Sequence, residues 1–140
     1  VVVAADGWQL EYTVPDDLPL VLADAQAVES ALMNLLHNAQ KYAATGRWLS
    51  IRAIVQTNEV QLTIADHGPG IAAAEVPHIF EPFYRSPRVV ATTIAGAGLG
   101  LNLVQRHLQG MGGRVTVKTS EGAGTAFTLH LPLASPEQAQ

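Results

Sequence analysis

Residues 24–43, with the sequence DAQAVESALMNLLHNAQKYA, decide the fold of this chain more than any other stretch. Apolar residues recur there three or four positions apart, which is the spacing of one face of an α-helix. Asp24 is a residue type that caps helix N-termini, so we predict a helix from there to about Ala43. The apolar face is wide and comprises Val28, Ala31, Leu32, Leu35, Leu36 and Ala39. A face this wide predicts a helix that is buried along one side.

The composition of the 140 residues predicts a single ordered domain. The chain is 48% apolar and 14% charged, and we expect its core at about residues 8–133, followed by a polar tail at 134–140. The net charge is −4, so we expect no general affinity for nucleic acid or for anionic membranes. The absence of cysteine excludes disulfides and thiolate metal sites and suits the cytoplasm. No apolar run approaches the ~20 residues of a membrane span. Because the sequence does not begin with Met, we expect it to be a piece of a longer protein.

Alternating apolar residues predict several strands after this helix. They occur at 49–55, at 60–64, from 115 and at 127–131, with an earlier strand at 8–14 and a second long helix at 99–109. Short turns join neighbouring strands. We therefore predict an α/β two-layer sandwich, with a mixed, mostly antiparallel sheet and helices packed on one face.

The first predicted helix carries a polar stripe beside its apolar face. At about 100° per residue, Asn34, Asn38 and Lys41 fall on one side, at the margin of the core. An amide oxygen suits Mg²⁺, a hard cation that binds mainly through phosphates and water, and a lysine one turn later can meet phosphate charge. Considered by itself, such a stripe is more often a solvated helix face.

Asp66 ends a predicted strand in phase with Val60, Leu62 and Ile64, so its carboxylate is expected on the apolar side, with His67 on the other. An inward carboxylate needs a partner, and the exocyclic amine of adenine is one. The alternative is an Asp-Gly-type turn in which an arginine pairs with Asp66.

A glycine cluster at 96–101 leads into the second helix, whose free N–H groups favour phosphate. Its spacing is neither the P-loop nor the dinucleotide pattern, and a flexible hinge has the same composition. Upstream, we expect Phe80 and Phe83 to pack in a turn that anchors this loop. Arg85 is placed either to reach phosphates or to be a surface charge.

Four segments, in order, resemble the ATP-binding domain of sensor histidine kinases. Residues 34–42 resemble the N box, 66–71 the first glycine box, 79–85 the F box and 96–101 the second glycine box, and 124–127 are similar to the closing strand. The superfamily also includes DNA gyrase B, a major heat-shock chaperone family and the mismatch-repair protein MutL. The resemblance covers about residues 20–133 and implies the Bergerat-type ATP-binding fold.

The resemblance implies roles for the first helix and for the loop before the second helix. Asn38 would ligate Mg²⁺, Asn34 and Lys41 would meet phosphates or their waters, and Tyr42 would line the nucleotide pocket. Residues 86–97 would form an ATP lid. The start of the second helix would cap the phosphates through Gly98, Leu99, Gly100 and Leu101. One departure is Ala97, where the family often has threonine.

The resemblance also implies how the base would be read. Asp66 would accept a hydrogen bond from the adenine amine, and Thr125 would lie beside the base. Gly68 and Gly70 would shape the base pocket, and Ile71 completes the same box.

The family's acceptor is a histidine on a separate helical dimerisation domain, in a His-Glu/Asp-x-x-x-Pro context that none of the five histidines here has. We therefore expect a chain that binds ATP and hardly phosphorylates itself. Its expected partners are the dimerisation and phosphoacceptor domain of a parent kinase, either free or anchored in the inner membrane, and a response regulator.

Three alternatives stay open. Superfamily ATPases and anti-sigma-factor serine kinases carry a glutamate one turn before the metal-binding asparagine, where this chain has Asn34. The third alternative is a nucleotide-binding module without catalysis.

Overall fold

The computed structural model describes residues 2–5, 7–21, 23–42, 46–84 and 100–134, with side chains from Gly7 onward except at Lys41 and Tyr42. Within these residues there are two helices, α1 (Ala25–Tyr42) and α2 (Gly100–Gly110), and one 3₁₀ turn at Val76–His78. The strands are β1 (Val2–Ala5), β2 (Trp8–Thr13), β3 (Trp48–Gln56), β4 (Glu59–Asp66), β5 (Arg114–Thr119) and β6 (Thr125–Pro132).

The six strands form one sheet in the order β1-β2-β3-β4-β6-β5. Only β2 and β3 are parallel, and α1 lies between them in the chain, whereas the other neighbours are antiparallel. A parallel pair needs such a crossover, since a tight turn can only reverse the chain. The predicted mixed, mostly antiparallel sheet is confirmed, and β1 is a strand that the sequence analysis did not predict.

Both helices lie against one face of the sheet and form the core with it. Leu35 of α1, Val104 and Leu108 of α2, and Leu129 of β6 are the largest fully buried side chains. Ile64 of β4 belongs to the same cluster. The predicted two-layer arrangement, with helices on one face, is confirmed.

The start of α1 follows from its capping residue. The Asp24 Oδ1 atom accepts hydrogen bonds from the backbone N–H groups of Gln26 at 2.9 Å and Ala27 at 3.2 Å. These bonds satisfy two donors that a helix start leaves without partners, so the predicted N-cap is confirmed. Neither described helix is long and apolar enough to cross a membrane.

The opposite face of the sheet carries a polar network. The Glu59 carboxylate accepts hydrogen bonds from Arg114 at 3.0 and 3.2 Å and lies 2.8 Å from His130 Nδ1. The other ring nitrogen of His130 lies 2.8 Å from Thr116 Oγ1. The hydrogen bond with His130, followed by that from Gln61, lowers the pKa of Glu59 from 4.5 to about 2. This network ties β4, β5 and β6 together on the side away from the helices.

Candidate nucleotide-binding site

Asp66 is the last residue of β4 and lies between Leu49 of β3 and Thr125 of β6. Its Oδ1 atom accepts hydrogen bonds from the backbone N–H groups of Gly68 at 2.8 Å and Thr125 at 3.2 Å. Within the described part of the chain, no other hydrogen bond and no ion pair involves this carboxylate, so the pairing-arginine alternative finds no support there. The second oxygen, Oδ2, is thus available to a donor from a ligand.

The environment of Asp66 acts on its pKa in two directions. Burial raises the pKa of Asp66 above its usual 3.8, while the N–H groups of Gly68 and Thr125 and the neighbouring His67 oppose that rise. Burial disfavours the charged form, and hydrogen bonds to that form favour it. A half-buried carboxylate of this kind gains from a ligand that brings its own donor.

Thr119 is a site residue that the sequence analysis missed. Its hydroxyl donates to the carbonyl of Gly124 at 3.0 Å, accepts from the N–H of Ile71 at 2.9 Å, and lies 2.9 Å from the Thr125 hydroxyl. Since a hydroxyl has one proton, the Thr125 hydroxyl is the donor in that last contact. Thr119 is in phase with the inward-facing Val115 and Val117. This alternation could have identified Thr119 as an inward-facing residue from the sequence.

The glycines of the loop after β4 and of the turn before β6 allow close backbone contact. Gly70 has a φ of 74°, and a Cβ atom there would overlap the carbonyl oxygen of Ser120. The N–H of Gly122 donates to the carbonyl of Pro69 at 2.7 Å, which joins the same two loops. The loop after β4 and the turn before β6 therefore hold Asp66 and Thr125 together.

Two predicted phosphate-side elements also meet. An ideal Cβ atom on Gly100, where the described part of α2 begins, would lie 3.6 Å from Asn34 Oδ1 of α1. Asn34 and Asn38 are both half-buried, as expected for a stripe at the margin of the core. Leu101 packs against the hydrophobic core. The backbone of Lys41 and Tyr42 lies in the last turn of α1.

Other predicted features lie outside the described residues. They are the side chains of Lys41 and Tyr42, the residues Arg85, Gly98 and Leu99, the departure at Ala97 and the segment 86–97.

The expectation that both aromatic rings pack is confirmed at Phe80 and wrong at Phe83. Phe80 meets the buried Phe127 edge-on, with ring centroids 6.2 Å apart, and its carbonyl accepts a hydrogen bond from Asn102 of α2 at 3.1 Å. Phe83 is 72% exposed, and its φ is 66°. The left-handed backbone at that turn sends the side chain away from the core, so it does not anchor the loop by packing.

Comparisons with known proteins agree with this geometry. Residues 23–135 match the family described as histidine kinase-, DNA gyrase B-, and HSP90-like ATPase. The adaptive-response sensory kinase SasA of Nostoc sp. (strain PCC 7120) is 38% identical over 126 residues, which are 89% of this chain and 31% of that protein. SasA of Parasynechococcus marenigrum is 34% identical over 89% of this chain and 33% of that protein. The chain thus spans about a third of the length of these curated relatives.

Two solved structures are similar to the whole fold. The mycobacterial sensor histidine kinase MprB superposes with a TM-score of 0.70 and 28% identity, over 89% of this chain and 82% of that one. Full-length ShkA, solved in complex with AMPPNP, gives a TM-score of 0.75 and 32% identity, over 90% of this chain and 26% of that one. The chain therefore belongs to the family of histidine kinase-, DNA gyrase B- and HSP90-like ATPases, and its matches include the sensory kinase SasA and the sensor histidine kinase MprB.

Proposed function

We propose that this domain binds Mg²⁺-ATP and donates the γ-phosphoryl group to a histidine on a separate dimerisation domain. The observation that carries the proposal is the Asp66 carboxylate, fixed through Oδ1 by two backbone N–H groups at 2.8 and 3.2 Å. A fixed acceptor at the end of a strand, with its other oxygen available, suits one directed donor. The exocyclic amine of adenine is such a donor, and guanine presents a carbonyl oxygen at the equivalent ring position.

In this proposal the base lies at the ends of β4 and β6. Asp66 accepts the hydrogen bond from the adenine amine, and Thr125, which is 8% exposed, lies beside the base. Gly68, Gly70 and Ile71 shape the pocket from the loop after β4. The similar full-length ShkA was solved with AMPPNP, an ATP analogue, which supports a nucleotide in this fold.

The phosphates extend from the base toward α1 and α2. Asn34 faces the start of α2, where backbone N–H groups and the positive end of the helix dipole favour phosphate oxygens. We assign further phosphate and pocket contacts, following the family, to Lys41, Tyr42, Arg85, Gly98, Leu99, Gly100 and Leu101.

We assign the Mg²⁺ ion to Asn38. The described residues contain no cluster of three or more His, Cys, Asp or Glu side chains that could hold a metal ion. An amide oxygen nevertheless fits Mg²⁺, because this ion usually keeps several waters and binds mainly through substrate phosphates. The ion would neutralise charge on those phosphates.

In this reaction the domain positions ATP and stabilises its charge, and it forms no covalent intermediate of its own. In transfer, the bond from the γ-phosphorus to its bridging oxygen breaks, ADP leaves, and a bond to the acceptor nitrogen forms. Asn34 has an amide that cannot take a proton from water, which disfavours the superfamily ATPase and serine kinase alternatives. The parent kinase would supply the acceptor, and an aspartate of a response regulator in the cytoplasm would then receive the phosphoryl group.

Calorimetric titration of ADP and GDP, with and without Mg²⁺, tests the nucleotide assignment. We expect ADP to bind and GDP to bind far more weakly. Asp66→Asn replaces one carboxylate oxygen with an N–H donor, so it should weaken ADP binding by about tenfold or more, the equivalent of a charge-assisted hydrogen bond of ~1.5–3 kcal/mol. Asn38→Ala should remove most of the increase in ADP affinity that Mg²⁺ produces in the unchanged chain. Equal affinity for both nucleotides, or no effect of Asp66→Asn, would show that Asp66 does not read the base.

A further inference from the structure

A hollow of about 380 Å³ lies on the face of the sheet opposite the helices. We call it the outer hollow, and it is lined by Trp48, Ala65, His67, Lys118, Ser120 and Ala126, among others. Its volume falls within the ~300–1,000 Å³ of small-molecule sites.

The strand register explains why a hollow forms there. Ala65 of β4 is paired with Ala126 of β6, and Ala126 is paired with Lys118 of β5. Successive side chains of a strand point to opposite faces, so Ala65 lies on the face away from the Asp66 carboxylate. The small side chains of Ala65 and Ala126 form a low floor. This floor lies between the long side chain of Lys118 and the rings of Trp48 and His67.

One wall of the outer hollow is a flat aromatic surface. The rings of Trp48 and His67 are stacked, with centroids 3.8 Å apart and planes 10° from parallel. Each ring limits the motion of the other. A stacked pair of this kind offers a preformed surface for another planar group, since aromatic rings attract one another beyond the area that they bury.

The opposite wall brings positive charge. Lys118 is exposed, and among the described residues it takes part in no ion pair, although the chain as a whole has a net charge of −4. Asp66, Thr119 and Thr125 of the candidate nucleotide site also contribute to the lining, since β4, β5 and β6 present residues to both faces. The Asp66 carboxylate, however, is bonded to Gly68 and Thr125 and belongs to the helix-side face. The charge that the outer hollow presents is therefore cationic.

We propose that the outer hollow is a second binding site, separate from the nucleotide site, for a small planar aromatic carboxylate. The ring of the ligand lies against the Trp48–His67 stack, and its carboxylate pairs with Lys118, close to the hydroxyl of Ser120. The two alanines of the floor leave room for the ring. The site and the nucleotide pocket lie on opposite faces of β4 and β6, so both are open at once.

Naphthalene-2-carboxylate is the probe that tests this site, in the presence of saturating ADP and Mg²⁺. The chain has two tryptophans, so a Trp8→Phe variant assigns the indole N–H signal of Trp48 in a ¹H–¹⁵N correlation spectrum. We expect that signal to shift in a saturable way and calorimetry to give the affinity. Lys118→Gln should weaken the binding of naphthalene-2-carboxylate by up to about fivefold, as for the loss of an exposed ion pair. Neutral 2-naphthamide should bind the unchanged chain about as weakly as naphthalene-2-carboxylate binds the Lys118→Gln variant.

Arg106→Gln is the matched control, because it removes one exposed positive charge on α2, outside the lining of the outer hollow. We expect it to leave the affinity for naphthalene-2-carboxylate unchanged. The proposal is overturned if the Trp48 signal does not saturate, or if Lys118→Gln and Arg106→Gln behave alike. It is also overturned if ADP displaces the probe, since the probe would then occupy the nucleotide pocket.

Discussion

Replacing Thr119 with valine tests whether one hydroxyl holds together the loop after β4 and the turn before β6, on either side of Asp66 and Thr125. Valine keeps the shape of threonine but removes the contacts with the Thr125 hydroxyl at 2.9 Å, the Gly124 carbonyl at 3.0 Å and the Ile71 N–H at 2.9 Å. A half-buried polar group left without its partner costs ~1–3 kcal/mol, and more than one is affected here. We therefore expect Thr119→Val to lower the free energy of unfolding by about 2–4 kcal/mol.

Urea unfolding measures this loss, and Thr63→Val is the matched control. The Thr63 hydroxyl makes a single described contact, 2.9 Å from the Thr128 hydroxyl on the other face of the sheet, so its loss should cost only about 1 kcal/mol. Thr119→Val should also weaken ADP binding, because the Thr125 N–H that it supports is bonded to Asp66. The reasoning is refuted if Thr119→Val destabilises the domain no more than Thr63→Val and leaves ADP affinity intact.

Two further predictions concern stability. Asp24→Ala removes the cap on α1 and should cost about 1 kcal/mol in urea unfolding, whereas Asp24→Asn, which keeps an acceptor, should cost less. The second concerns Glu59, whose pKa in the folded state is about 2 rather than 4.5. The ionised Glu59 therefore adds its full contribution to the free energy of unfolding above pH 4.5, and this contribution is lost as the pH falls toward 2. It amounts to at most about 3 kcal/mol, and the unfolding free energies of the unchanged chain and of Glu59→Gln should converge over that range. If the unfolding free energies of the unchanged chain and of Glu59→Gln differed by the same amount down to pH 2.5, the lowered pKa of Glu59 would be contradicted.

Local patterns in the sequence predicted the elements whose partners lie nearby. Asp24 and the apolar spacing after it located α1, because capping and one buried face are both properties of a single helix. Strand alternation placed Asp66 and Thr125 on the inner face, and their pairing in adjacent strands confirms the shared face. The inward direction of the Asp66 carboxylate thus followed from its phase with three apolar residues.

Features that depend on distant segments were not predictable in this way. Residues 2–5 are small and apolar without a period, and they become β1 only because the edge of β2 accepts them. The parallel pairing of β2 with β3 joins segments on both sides of α1. Thr119 meets its partners only when the β5–β6 turn meets the loop after β4, and the aromatic character of Phe83 suggested burial where the turn backbone prevents it.

Phosphoryl transfer to a supplied acceptor tests the central claim most directly. The chain would be incubated with γ-labelled ATP and Mg²⁺, alone and with the dimerisation domain that the proposed function requires. We predict almost no label on the chain alone and acid-labile label on a histidine of the added domain, strongly reduced by Asp66→Asn. Free phosphate without labelled acceptor, at a rate that the added domain does not change, would contradict the account and indicate an ATPase.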